Sequence, residues 1–230
     1  MIPIADEIRT QRTPFVNYLL LAINILVFAI TGLSGLVDFA SFTQSYGLIP
    51  LYVTRGFYVE ALPTFFTSMF MHGSLLHLGG NMLYLWIFGD NVEDAMGHVG
   101  YLFFYLIGGL VASTTHILVN PYSTVPTVGA SGAIAAVLGA YALLYPGSRV
   151  RTIIPLGFYL RVAVLPAGLV LGFWFAFELL QGLTSMGMDP NVGGVAFWAH
   201  IGGFVVGLIL ARFFGHDRGR YGGPGWGSQA

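Results

Sequence analysis

Residues 128–141 read VGASGAIAAVLGAY. From Gly132 to Tyr141 the stretch holds only glycine, alanine, aliphatic residues and one tyrosine. A helix that is apolar on every side belongs inside a protein core or a bilayer. Its start differs: Gly129-Ala130-Ser131-Gly132 sets a hydroxyl between small residues at the mouth of that helix. Taken alone, such a serine is a packing or capping residue. With a base close by it becomes a nucleophile. Residues elsewhere in the chain decide between the two.

Composition narrows the setting. Of 230 residues 56% are apolar and 8% charged, whereas an ordinary soluble domain carries about 25% charged residues. So little charge cannot clothe a water-soluble globule of this size, and the chain reads as a single membrane-embedded domain. A net charge of −1 gives no reason to expect nucleic acid, and the absence of cysteine removes disulfides, thiolate metal sites and cysteine nucleophiles.

A bilayer core calls for about 20 mostly apolar residues per helix. Six segments qualify: 15–31, 74–88, 99–119, 129–145, 162–180 and 192–213. The second is expected to begin earlier, within FFTSMFMHGS. The expected fold is therefore all-α, a six-transmembrane-helix bundle over residues 15–213, with a cytoplasmic segment 1–14 before it and a disordered, Gly-rich cytoplasmic tail 214–230 after it. The start, MIPIADEIRTQRTPFVNYLLLAINILVFAITG, has acidic residues before Arg9 and a long apolar run, so it reads as a retained helix rather than a signal peptide. No internal repeat is present, which argues against a transporter.

Cytoplasmic loops are enriched in Lys and Arg. With six helices, Arg9, Arg12, Arg149, Arg151, Arg161, Arg212, Arg218 and Arg220 fall on one side and Arg55 alone on the other. Both termini are thus expected in the cytoplasm. The connection from Leu33 to Pro63 is then external, and its aromatic and aliphatic content suits a loop lying in the interface. The absence of an appended domain or targeting segment points to a prokaryotic plasma membrane.

Polar groups in hydrocarbon are costly, so each needs a reason. HGSLLHLGGN carries His72, His77 and Asn81; His77 and Asn81, four apart, share a helix face. His200 lies in FWAHIGGFVVG. With helix six starting at Val192, His200 is roughly 12 Å into it, His77 is similarly deep, and Ser131 is shallower unless NPYSTVPT before it dips into the protein. Gly203 and Gly207 on one helix and Gly132 and Ala136 on another form small faces that allow close backbone approach. That approach would bring His200 within reach of Ser131.

The chemistry then assembles. His200 can take the Ser131 proton and later protonate a leaving amine. First-turn N–H groups of helix four, with His77 and Asn81, can receive an oxyanion. Glu178 is the one carboxylate within an apolar span, but it is read towards the outer end of its helix, so a Ser–His dyad is the simpler arrangement. His72 is read as near the outer surface and off the His77–Asn81 face, His116 as interfacial and His98 as a cytoplasmic loop residue. A metal site on His72, His77 and His200 is conceivable, yet HExxH is absent. Asp90 and Asp94 are assigned in or beside the GDNVEDAMGH loop, so no pair of intramembrane aspartates remains. No metal or cofactor is expected.

Three stretches in register, HGSLLHLGGN, GASG (Gly129 to Gly132) and AHIGGFVVG (Ala199 to Gly207), resemble the rhomboid family of intramembrane serine proteases, and WIFGDNVEDAMGH is similar as well. The resemblance spans about Pro63 to Arg212. It implies a six-helix bundle, a dyad of Ser131 and His200, oxyanion roles for His77, Asn81 and the Ser131 backbone, a water-filled cavity open to the external side, and cleavage of transmembrane protein substrates within the lipid bilayer. A catalytically silent protein that binds transmembrane helices is the alternative. Two positions depart from the family pattern. Ala135 stands where many members have a tyrosine that stacks on the histidine, which leaves Phe197 and Trp198 as neighbours in sequence only. Thr54 precedes Arg55 where the family has tryptophan.

Overall fold

In the computed structural model of the chain, residues 1–214 are described apart from 158, 188, 190, 192 and 193; of the expected 214–230 tail only Phe214 is described, as the last residue of a helix rather than part of a tail, and the Val192 start of the sixth helix lies outside the described residues.

Helices dominate, because a backbone in hydrocarbon must bond to itself. Helix α1 (Phe15–Phe28) continues through a π-helical turn to Leu33. Then come α2 (Phe39–Tyr46), α3 (Pro50–Thr54) and α4 (Tyr58–Thr67), followed by a 3-10 turn at Ser68–Phe70. The long helices are α5 (Leu75–Met96), α6 (His98–Val119), α7 (Ser131–Leu144), α8 (Ala167–Ser185) and α9 (Phe197–Phe214). Four described spans, Phe15–Leu33, α6, α8 and α9, are long and apolar enough to cross a membrane. Helix α7 is apolar but has only 14 residues, and α5, with 22, is more polar.

The all-α expectation fails in one place. Strands β1 (Ile2–Asp6), β2 (Arg149–Leu156) and β3 (Tyr159–Pro166) form an antiparallel sheet in that order. The segment 162–166, read as the start of the fifth helix, is strand; α8 begins only after Pro166. The cause is local. Val150, Thr152, Ile153, Ile154, Val162 and Val164 are β-branched and favour strands. Leu156 pairs with Tyr159, and Gly157 takes φ 62 in the turn between them, a conformation open to glycine. Mean hydropathy cannot separate such a strand from a helix.

Helix α7 is the centre. Every residue from Gly132 to Tyr141 is buried, as a helix apolar on all sides requires. It packs most extensively against α9, and glycines set the spacing. A Cβ at Gly203, Gly207 or Gly139 would lie 2.1 Å from the Gly132 carbonyl oxygen, 2.0 Å from that of Ala136 and 2.2 Å from that of Phe204. On the other side, a Cβ at Gly108 would meet Ala136 Cβ at 2.5 Å. Helix α7 can be short because the segment before it is folded into the protein. Leu48 and Thr127 exchange backbone hydrogen bonds of 3.0 and 2.8 Å, and Gly129 N–H donates to Ser68 O at 2.9 Å.

The second helix also runs past its expected end at Phe88 to Met96, so Asp90 and Asp94 are helical rather than in a loop. The polar residues there have partners that only the fold brings near. Glu93 accepts from Val16 N (3.0 Å) and Asn17 N (2.7 Å), and Asp94 from Gln11 N (2.8 Å). The free N–H groups at the start of α1 are thereby satisfied by α5. His98, the first residue of α6, pairs with Glu93. Asp6 accepts from Tyr141 Oη (2.6 Å) and Asn91 Nδ2 (2.8 Å), which ties the sheet to α7 and α5. At the other end, the connection expected to lie in the interface is made of α2, α3 and α4, with Leu36, Val59 and Leu62 exposed and Leu48 and Ile49 buried.

Candidate active site

Three first turns meet. Ser131 is the first residue of α7, His77 the third of α5 and His200 the fourth of α9. The shallow placement of Ser131 expected from sequence therefore disappears. Helix α9 begins at Phe197, after the non-helical residues 194–196, and the loop before α7 is indeed folded into the protein. Ser74 caps α5 by accepting from His77 N–H at 3.1 Å, which ends the helix where the histidine is needed.

Ser131 Oγ lies 2.7 Å from His200 Nε2, and His200 Nδ1 lies 2.8 Å from Glu178 Oε2. Nδ1 donates to the carboxylate, which leaves Nε2 unprotonated to accept from the serine hydroxyl. The side chains of His200 and Glu178 are each only 10% exposed. The sequence places Glu178 towards the outer end of its helix and leaves His200 without an acidic partner; the structure keeps Glu178 in that half of α8 and puts its carboxylate at the ring. The available signal was its solitude: a lone carboxylate in an apolar span marks a functional position. The aromatic neighbour of His200 comes from the same helix. Trp174 lies 6.0 Å from the imidazole at an interplanar angle of 34°. It is this residue, not Phe197 or Trp198, that packs on the histidine where Ala135 is too small to do so.

Around Ser131 the donors are backbone and side chain. Ile134 N–H bonds back to Ala130 O at 3.0 Å; the N–H groups ahead of it are those a helix leaves free, at its positive end. Gly129 takes φ 134, and a Cβ there would lie 2.8 Å from His77 Nε2 and 3.6 Å from Ser131 Oγ. Glycine is thus required twice, by conformation and by the approach of the histidine. Asn81 Nδ2 donates to His72 Nε2 at 2.9 Å. His72, read from sequence as near the outer surface and structural or water-bound, is fully buried within the protein and holds Asn81. Its ring centroid is 5.0 Å from that of His77.

Ser131, His200, His77, Asn81, His116 and Glu178 line one cavity of about 780 Å³. His116, expected in the interface, faces this cavity near the end of α6 and bonds to Asn120. Among the described residues no group of three His, Asp or Glu side chains is arranged to hold a metal ion.

The model of the rhomboid domain matches residues 59–217, more than half of the chain. The chain belongs to the rhomboid family. Among the relatives of this rhomboid chain is Rhomboid protein 1, mitochondrial, of Saccharomyces cerevisiae, 29% identical over 200 residues, or 85% of this chain and 52% of the yeast protein. Rhomboid protease GluP of Bacillus subtilis is 29% identical over 213 residues, 88% of this chain and 37% of that protein. The mitochondrial presenilin-associated rhomboid-like protein of Bos taurus is 32% identical over 157 residues, 65% of this chain and 37% of that one. The rhomboid chain thus spans between about a third and a half of the length of these relatives. It is an integral membrane protein by its helices. Mitochondrial, chloroplastic and bacterial relatives occur together, so the similarity does not single out a prokaryotic plasma membrane.

Proposed function

We propose that this rhomboid is an intramembrane serine endopeptidase that hydrolyses peptide bonds within or next to transmembrane segments of membrane-protein substrates. The observation that carries the reading is the 2.7 Å contact between Ser131 Oγ and His200 Nε2 at the start of a buried helix and at the wall of a large cavity. In this reading α1, α5, α6, α7, α8 and α9 are the six crossing helices. Both termini share the Arg-rich side, and the cavity opens to the other.

The steps follow from the geometry. The Ser131 hydroxyl proton passes to His200 Nε2 as Oγ attacks the scissile carbonyl carbon. The carbonyl oxygen becomes an oxyanion, received by the free first-turn N–H groups of α7 and by His77 and Asn81. Donors held in place by the fold are effective because they need not reorganise as the charge forms. The intermediate collapses, the C–N bond breaks, and His200 returns its proton to the leaving amine. A water molecule then gives a proton to His200 and attacks the acyl-serine ester; the C–O bond breaks as His200 returns that proton to Ser131 Oγ, and the released carboxylic acid loses its proton to water. A substrate helix must unwind first, since its own hydrogen bonds and side chains shield its peptide bonds. Segments rich in Gly, Ala or Ser near the external end are therefore preferred.

The test is cleavage of several weakly helical transmembrane substrates by reconstituted protein. Ser131→Ala and His200→Ala are expected to lose at least about 10³-fold in kcat. Cleavage that survives Ser131→Ala eliminates the mechanism. A wild type that binds these substrates and leaves them intact identifies a catalytically inactive, helix-binding rhomboid-like protein instead.

A further inference from the structure

Histidine general bases need a defined tautomer and orientation, and something must supply them. Neither α7 nor α9 does so here. One turn beyond Ser131 the side chain is the methyl of Ala135, already buried against α9. Both groups that hold the imidazole project from α8: Glu178 bonds Nδ1 and Trp174 packs on the ring. They are four residues apart and so share one helix face.

We propose that Glu178 is the positioning residue of the catalytic histidine, the third member of a Ser131–His200–Glu178 triad, with Trp174 completing the support. This rests on reading Ser131 as nucleophile and His200 as base. A buried charge without compensation is expensive, and breaking its pairing is more so. A carboxylate 10% exposed on a helix that carries no other charged residue is consistent with that cost being offset in function. While it accepts from Nδ1–H, Glu178 keeps Nε2 free for the serine proton. When Nε2 takes that proton, the ring becomes a cation 2.8 Å from a carboxylate, and with both side chains only 10% exposed their attraction exceeds that of the same pair in bulk water. A neutral acceptor of the same shape would hold the ring without stabilising this cation. His77 and His116 also line the cavity, and Tyr84 lies on its wall near Glu178, but none of them supplies negative charge; Asp189 lines it too, but is exposed and accepts from Asn191 N–H.

A second consequence is mechanical. Helix α8 rests on α9 where Gly182 allows Ile201 and Trp198 to approach, while Phe173, Phe177, Leu180 and Leu183 are exposed. Any displacement of α8 from α9 carries both supports away from the histidine.

The bland role for Glu178 is a hydrogen bond that only fastens α8 to α9. Glu178→Gln separates the two, because glutamine can still accept from Nδ1–H but carries no charge. Wild type, Glu178→Gln, Glu178→Ala and Glu178→Asp are compared in detergent for kcat and KM on a transmembrane substrate. Labelling of Ser131 by a fluorophosphonate and thermal midpoint are read on the same samples. Expected are a kcat at least about tenfold lower for Glu178→Gln, with KM changed less than about twofold and the thermal midpoint retained. Labelling slows in parallel, Glu178→Ala loses more, and added formate restores part of the Glu178→Ala rate. A Glu178→Gln protein with wild-type kcat overturns the proposal, as does a rate loss across the series that simply follows the thermal midpoints. Should Glu178→Gln fail to fold, formate rescue of Glu178→Ala decides, and its absence overturns the proposal. Wild type that neither cleaves nor labels removes the site reading and this inference together. Active wild type with an unaffected Glu178→Gln removes this inference alone.

Discussion

Gly203→Ala is a single-methyl change that tests how the site is assembled. The added Cβ would stand 2.1 Å from the Gly132 carbonyl oxygen and 3.2 Å from Ala135 Cβ. A carbon and a carbonyl oxygen approach to about 3.3 Å at closest, so the shortfall is about 1.2 Å. The obstructing atom is backbone of the buried central helix, and no rotamer change relieves it. The two helices must separate near Gly132, which adjoins Ser131, and near Gly203, one turn from His200. If that displacement passes fully to the pair, a 2.7 Å contact opens to about 3.9 Å, outside hydrogen-bond range. Overpacking of this kind costs about 1–3 kcal/mol, and misplacing reacting groups by about 1 Å costs about 10²-fold in rate. The assay is kcat/KM on a reconstituted substrate, with fluorophosphonate labelling of Ser131 and a thermal midpoint. Gly172→Ala is the control: nothing lies within 4 Å of its Cβ position, and an exposed helical glycine replaced by alanine gains up to about 1 kcal/mol. Gly203→Ala protein that keeps more than about half of the wild-type kcat/KM would refute the claim that close backbone approach sets the serine–histidine geometry.

Other perturbations test other parts of the structure. Asn81→Ala removes a proposed oxyanion donor and is expected to lower kcat by about 10²–10³-fold with KM little changed, measured by steady-state cleavage. Gly129→Ala forces a side chain into φ 134 and against His77; labelling of Ser131 and cleavage should both fall sharply, and unchanged labelling would contradict the geometry. Glu93→Ala leaves the Val16 and Asn17 amides and His98 without their acceptor and should cost about 0.5–2 kcal/mol, as loss of a helix cap does, read as a lower thermal midpoint. Asp6, in the sheet, is held above the ordinary carboxylate range, chiefly by burial and partly offset by the Tyr141 hydroxyl. The folded protein therefore binds this proton more tightly than the unfolded chain, and stability from this group rises as pH falls through the raised value towards 3.8. The thermal midpoint of wild type relative to Asp6→Asn should accordingly rise on acidification from pH 7, and a falling difference would reverse the assignment.

Much of this protein is legible along the chain. Low charge and long apolar runs require a membrane bundle, because unpaired backbone is not tolerated in hydrocarbon. Gly203 with Gly207, and Gly132 with Ala136, announce faces fit for close approach, since period 3.6 puts each pair on one face of its helix. Ser131, His77, Asn81 and His200 stand out because polar groups in apolar helices are costly.

Periodicity describes one helix at a time, however. It does not say which helix lies beside which, or where a helix begins within an apolar run. Only the tertiary structure starts α9 at Phe197, bringing His200 into a first turn beside Ser131, 69 residues away. Only it converts 162–166 from helix to strand, because the partner that satisfies that backbone is a neighbouring strand. Glu178 is the sharpest case. Its chemistry is visible in the sequence, but its purpose depends on the rotation of α8 against α9, which is set by Gly182, Trp174 and Phe204 packing across the interface. Residue types and spacing determine what the site can contain; the packing of whole helices, a sum of many weak contacts between distant segments, decides which of those groups meet.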